Sequence, residues 1–138
     1  MAYAGDVTAR QAWEQLSADR RSVLVDVRTP AEWNYVGVPD LSAMGKSLLR
    51  VAWQGYPGLA LNPHFAEELN RGGISKDDQL FFLCRSGARS RAAAEAMTAL
   101  GFKRCYNVAD GFEGPKDGEG HRGTSSGWKA SGLPWTQE

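Results

Sequence analysis

An apolar run, Gln79-Leu80-Phe81-Phe82-Leu83, leads straight into Cys84-Arg85-Ser86-Gly87-Ala88-Arg89-Ser90, and that segment leads straight into an alanine-rich helical pattern from Arg91 to Leu100. A strand that hands over to a helix through one short loop is the elementary unit of an α/β fold, and the succession recurs along the chain. Ser22 to Val27 is a β-branched run suited to a strand buried on both faces. It ends at Thr29-Pro30-Ala31-Glu32, a capping box with proline at the first helical position. Thr8-Ala9-Arg10-Gln11 is another capping box, followed by Ala9, Ala12, Trp13 and Leu16 at helical spacing. Asn62-Pro63 is expected to cap a helix through Leu69, closed by Gly72-Gly73. The helix after Ser90 is expected to bury Ala93, Ala96, Met97 and Leu100 before Gly101 stops it, and Cys105 to Ala109 makes a last strand. Gly37 to Leu61 reads as loop with one short strand, Leu48 to Val51. The order predicts an α/β fold with a parallel central sheet flanked by helices on both faces, and reactive groups at the strands' carboxyl ends.

At the junction, loop amides and the positive end of a helix dipole converge on the Cys84 sulfur, and Arg85 and Arg89 add two permanent charges. All of these favour thiolate, the form that attacks or carries sulfur. The competing reading makes Cys84 the buried last residue of a core strand, since free cysteines are among the most buried residue types. Two arginines, a serine and a glycine argue against it, being poor company for a dry core position.

With 138 residues and 42% hydrophobic content, the chain builds one sizeable core and is expected to be one domain over residues 1–138. Sixteen basic and sixteen acidic residues cancel, so no global field draws it to nucleic acid or membrane. Cys84 and Cys105 show no CxxC or cysteine–histidine spacing, and with only His64 and His121 beside them neither a metal site nor a cofactor is expected. The start, Met1-Ala2-Tyr3-Ala4-Gly5-Asp6, lacks the regions of a secretory signal, and no run approaches transmembrane length, so a reducing cytoplasm is the expected setting. Between Asp110 and Gly132 lie seven of the sixteen glycines. Phe112, Trp128, Leu133 and Trp135 punctuate this stretch and its sequel, which favours an ordered wrap over a disordered tail.

Loop length separates two chemistries. A phosphatase-type anion loop runs cysteine, five residues, arginine, and that last place is Ser90 here, with Arg89 one residue short and Arg91 one beyond. A loop closed at Arg89 is tighter than a phosphate cradle and suits one extra sulfur on Cys84. Here the chain resembles the rhodanese family, sulfurtransferases that carry a persulfide on a cysteine. Members with six residues in this loop handle sulfur and relatives with seven handle oxyanions; Cys84 through Arg89 makes six. Val23-Leu24-Val25-Asp26-Val27-Arg28-Thr29-Pro30-Ala31-Glu32-Trp33 is similar to the family's first signature, and Gly127-Trp128-Lys129-Ala130-Ser131-Gly132-Leu133-Pro134 to its usual ending. Where many members read Gly-His-Ile-Pro-Gly-Ala, this chain reads Gly37-Val38-Pro39-Asp40-Leu41-Ser42, without the histidine.

The resemblance implies a rhodanese-like fold and two-step sulfur transfer through a Cys84 persulfide, with thiosulfate or another persulfide as donor and cyanide or a thiol as acceptor. A sulfur-relay protein is a further implied partner. Arg85 and Arg89 would attract the anionic donor, the amides of Arg85, Ser86, Gly87, Ala88, Arg89 and Ser90 would cradle the outer sulfur, and Gly87 would let the loop turn tightly. The rivals are a rhodanese-like binding or regulatory module without turnover, against which an intact Cys84 speaks, and an oxyanion enzyme, a phosphatase or arsenate reductase, which the loop length disfavours.

Other polar residues carry two readings each. Asp26 and Arg28 stand behind the loop and either touch it or pair with each other; pairing is favoured. His121 and Arg122 either line the pocket mouth or lie on the surface, the default for a histidine in a glycine-rich stretch, and His64 is expected to face solvent. Cys105 is either a resolving thiol or inert core, and core is preferred. Trp13, Trp33 and Trp53 are expected in packing rather than in a common binding face.

Overall fold

The computed structural model describes residues 3–54, 60–124 and 126–137. The part of the 37–61 loop expectation that falls on residues 55–59 lies outside these, as do Met1 and Ala2. In chain order the elements are β1 (Gly5–Val7), α1 (Ala9–Ala18), β2 (Ser22–Asp26), α2 (Pro30–Tyr35), β3 (Val38–Pro39), a short 3-10 turn (Ser42–Met44), β4 (Leu49–Arg50), α3 (Phe65–Arg71), β5 (Gln79–Leu83), α4 (Ala88–Ala99), β6 (Arg104–Val108) and β7 (Trp135–Thr136).

Five strands form one parallel sheet in the order β1-β6-β5-β2-β4, so the strand leading to Cys84 is central. Every residue of β5 is buried, and alternation sends its side chains to two different cores. Leu80 and Phe82 join Phe65, Leu69, Ala93, Ala94 and Met97 on the face covered by α3 and α4. Phe81 and Leu83 join Ala9, Ala12, Leu16, Phe112, Trp128 and Leu133 on the face covered by α1 and the C-terminal segment. Helices therefore flank the sheet on both faces, as the strand–helix order predicts.

Both capping boxes form. The Thr8 side chain accepts from the Gln11 amide and Gln11 returns a bond to the Thr8 amide; Thr29 and Glu32 do the same at the start of α2. The third helix departs from expectation. Asn62 spends its Oδ1 accepting from the His64 amide 3.0 Å away, a local turn that delays α3 to Phe65. Helix α4 starts at Ala88, three residues before the alanine-rich run. Its buried face is Ser90, Ala93, Ala94 and Met97, whereas Ala96 is half-buried and Leu100 is 52% exposed. Leu100 was expected in the core; it ends the helix on the outer side, and Phe102, after the Gly101 turn, occupies the core instead.

Three strands, β1, β3 and β7, carry no periodic pattern and are unannounced in the sequence. Strand β1 adds to β6 at the sheet edge, and β7 pairs antiparallel with β3 in a separate ribbon. That ribbon fastens the C-terminal wrap, in which Phe112 and Trp128 are fully buried and the Trp128 indole N–H donates to the Pro134 carbonyl at 2.6 Å. No helix among the described residues is long and apolar enough to cross a membrane.

Candidate active site

Cys84 follows the last residue of β5, and its Sγ, in a residue only 1% exposed, lies at the start of α4. The Gly87 amide donates to it at 3.1 Å and the Ser90 amide at 3.4 Å, while the Ser90 hydroxyl lies 3.2 Å away. Two amides from the helix start thus point at one sulfur, an arrangement that stabilises negative charge there. The turn depends on Gly87, whose φ of 107° suits a residue without a side chain. A Cβ there would lie 2.5 Å from the Ala109 carbonyl oxygen.

The rest of the loop divides its labour. Arg85 is exposed and Ser86 half-buried, and Ala88 and Arg89 already belong to α4. Behind the loop the C-terminal wrap holds the backbone: the Phe112 amide donates to the Cys84 carbonyl at 2.8 Å, and those of Glu113 and Gly114 to the Arg85 carbonyl at 3.1 Å each.

Arg89 does not stand open to an anion. Its guanidinium forks onto Glu32 of α2, Nη1 to Oε1 at 2.6 Å and Nη2 to Oε2 at 2.9 Å. Burial pushes the Glu32 carboxyl up, but the Arg89 hydrogen bonds, helped by the Thr29 amide and the Arg89 charge, outweigh it and hold the group down at about 2. The Glu32 bonds raise Arg89 in turn. Glu32, Gln54, Arg85 and Arg89 line a cleft of about 250 Å3. Glu32 reads from sequence only as a capping residue, and its second role depends on a partner 57 residues away.

Asp26 and Arg28 pair with each other in full burial, with Arg28 Nη2 2.6 Å from Asp26 Oδ2 and also donating to the Gly37 carbonyl at 2.7 Å. The guanidinium stacks on the Phe112 ring at 4.3 Å, so the pair braces the segment behind the loop. The His64 and His121 side chains are 66% and 68% exposed. Arg122 donates to the Gly114 carbonyl. Cys105 is fully buried in the same core cluster as Cys84, beside Leu80 near the amino end of β5, where burial raises its thiol. Trp13 packs edge-on against Trp128, Trp53 against Phe65, and Trp33 under Arg50, so the three tryptophans do not share one face. Among the described residues no cluster of histidine, cysteine and carboxylate side chains is placed to hold a metal ion.

Residues 4–138 match the family model described as the STR4 middle domain. The crystal structure of Rv0390 from M. tuberculosis superposes with a TM-score of 0.90 at 52% identity, covering 99% of this chain and all of that one. The RP600 homolog of Rickettsia rickettsii is 39% identical over 94% of this chain and 95% of its own. The chloroplastic rhodanese-like domain-containing protein 4 of Arabidopsis thaliana is 28% identical over 96% of this chain, a match spanning 26% of the plant protein. The chain thus has a rhodanese-like fold and belongs to the STR4 middle domain family.

Proposed function

We propose that the protein is a sulfurtransferase that carries sulfane sulfur as a persulfide on Cys84. The observation carrying this reading is the convergence of the Gly87 and Ser90 amides on one buried sulfur at a strand–helix junction. In the first step the Cys84 thiolate bonds to the outer sulfur of a donor such as thiosulfate; the donor's S–S bond breaks and sulfite departs with the electron pair. In the second, a thiol or cyanide takes the outer sulfur and Cys84 leaves as thiolate. Each step moves negative charge between Sγ and its neighbour, within reach of fixed donors that need no rearrangement.

With Arg89 held by Glu32, Arg85 is the loop cation left to meet an anionic donor at the cleft. Both cysteines are free, which suits work as a single domain in a reducing cytoplasm on small sulfur donors or a relay protein. The test is mass spectrometry of the purified protein after thiosulfate treatment. One extra sulfur, about 32 Da, on the peptide containing Cys84 and removed by cyanide is expected. An unmodified Cys84 with thiosulfate and with polysulfide overturns the reading and leaves a binding module.

A further inference from the structure

A chain of hydrogen bonds runs from the Cys84 sulfur to the surface, and its direction is determined. Asp6 is exposed on β1, and its Oδ1 accepts from Asn107 Nδ2 at 3.1 Å and from the Tyr3 hydroxyl at 2.6 Å. A carboxylate only accepts, so it fixes the Asn107 amide with its nitrogen outward and its oxygen inward. That oxygen lies 2.5 Å from Ser90 Oγ, and an amide oxygen also only accepts. The Ser90 proton is therefore committed to Asn107. What Ser90 then presents to Cys84 Sγ, 3.2 Å away, is a lone pair. Ser90 and Asn107 are buried, at 0% and 3% exposure.

We propose that Asp6, acting through Asn107 and Ser90, holds the resting Cys84 as a thiol, and that the nucleophile is fully stabilised only when the Ser90 hydroxyl turns from Asn107 to sulfur. The inference rests on Cys84 being the reactive group of the proposed sulfurtransferase, but it concerns the thiol itself. Asp6 and Asn107 are positioning residues. When Cys84 ionises, its proton passes to a solvent base, the Ser90 O–H swings to Sγ, and Asn107 Oδ1 is left without a donor. A buried acceptor without a partner is destabilising, so the thiolate is opposed by this network while the Gly87 and Ser90 amides favour it. The other charged groups around the sulfur and this chain are Arg85 of the loop, Arg89 of α4 with its partner Glu32 of α2, the Asp26–Arg28 pair at the end of β2, and Arg91 and Glu95 of α4, whose charges act on Tyr3 beside Asp6. None of them touches the chain from Asp6 to Ser90.

Replacing Asp6 by Asn lets Asn107 turn over, because the new amide can offer an oxygen or a nitrogen. A turned Asn107 donates to Ser90, whose hydroxyl is then free to donate to sulfur. The experiment is the pH profile of Cys84 alkylation by iodoacetamide, a neutral reagent, measured in a Cys105→Ser background. Asp6→Asn is expected to lower the midpoint by about one pH unit and to raise the rate below the midpoint about tenfold. An unchanged or raised midpoint overturns the proposal. Removing a negative charge could act through space instead, so the same substitution is made in Ser90→Ala. There the midpoint is expected to stay within about 0.2 units of the Ser90→Ala parent; a full shift in both backgrounds overturns the path through Ser90. Tyr3→Phe leaves the Asp6–Asn107 bond in place and is expected to leave the profile unchanged. Because alkylation needs no sulfur donor, a shifted profile without persulfide formation would sink the sulfurtransferase reading and spare this one.

Discussion

Arg89 and Glu32 form a two-bonded ion pair that ties the first turn of α4 to the first turn of α2, each side chain about one-fifth exposed. The same carboxylate closes the capping box with Thr29. One side chain thus fixes a helix start and the arginine that ends the six-residue loop.

This pair makes stability depend on acid. The Glu32 carboxyl sits at about 2 in the folded protein against an ordinary 4.5. A depressed carboxyl contributes stability fully above its unfolded value and loses it as pH falls through the folded one, so the loss runs from about pH 4.5 down to about 2. Urea unfolding of the parent and of Glu32→Gln should differ by on the order of 2 kcal/mol at pH 7, after allowance for solvent screening. The two should converge within that acid window.

Anion recognition should rest on Arg85. Arg85→Ala is expected to raise KM for thiosulfate about tenfold to a hundredfold, the value of a charge-assisted contact, while iodoacetamide alkylation of Cys84 changes little. Arg89→Ala should instead leave Glu32 unpaired and lower stability, with a smaller change in KM. Steady-state kinetics beside thermal unfolding of both variants separates the two roles; a larger KM effect at Arg89 would return it to the anion site.

Sulfur transfer should end with Cys84→Ser, because an alcohol neither accepts nor returns sulfane sulfur at neutral pH, while the fold stays intact by circular dichroism. Cys105→Ser should keep most activity, since that thiol is buried and its contact is the Phe102 carbonyl at 3.7 Å.

Gly87→Ala should damage both the loop and the fold. The positive φ and the approach to the Ala109 carbonyl together predict a loss of more than about 2 kcal/mol in urea unfolding. A stable Gly87→Ala with full activity would show that the helix start can shift without moving the sulfur's donors.

Local signals were legible wherever one stretch of chain settles its own conformation. Thr8 with Gln11 and Thr29 with Glu32 specify helix starts within four residues, and the apolar β2 and β5 runs specify buried strands. The place of Cys84 between strand and helix was legible from the order of elements, but its burial and the choice of Gly87 and Ser90 among the six amides expected were not. What escaped is what distance decides. Strands of two or three residues such as β1, β3 and β7 show no period, and only their partners make them strands. Arg89 looked free because its partner lies in another signature, and Asn107, rightly read as part of a strand, gave no sign that its amide would join Ser90 to Asp6. Leu100 looked buried because helical spacing alone does not say where the turn at Gly101 sends the chain.

The amides of Phe112, Glu113 and Gly114 that grip the Cys84 and Arg85 carbonyls leave the cradle no room to retreat. A mould with a fixed back can be refitted only at its lip. Divergence among relatives in which donor or acceptor they serve should therefore concentrate at positions 54 and 85, while the residues gripping the loop from behind stay closed to change.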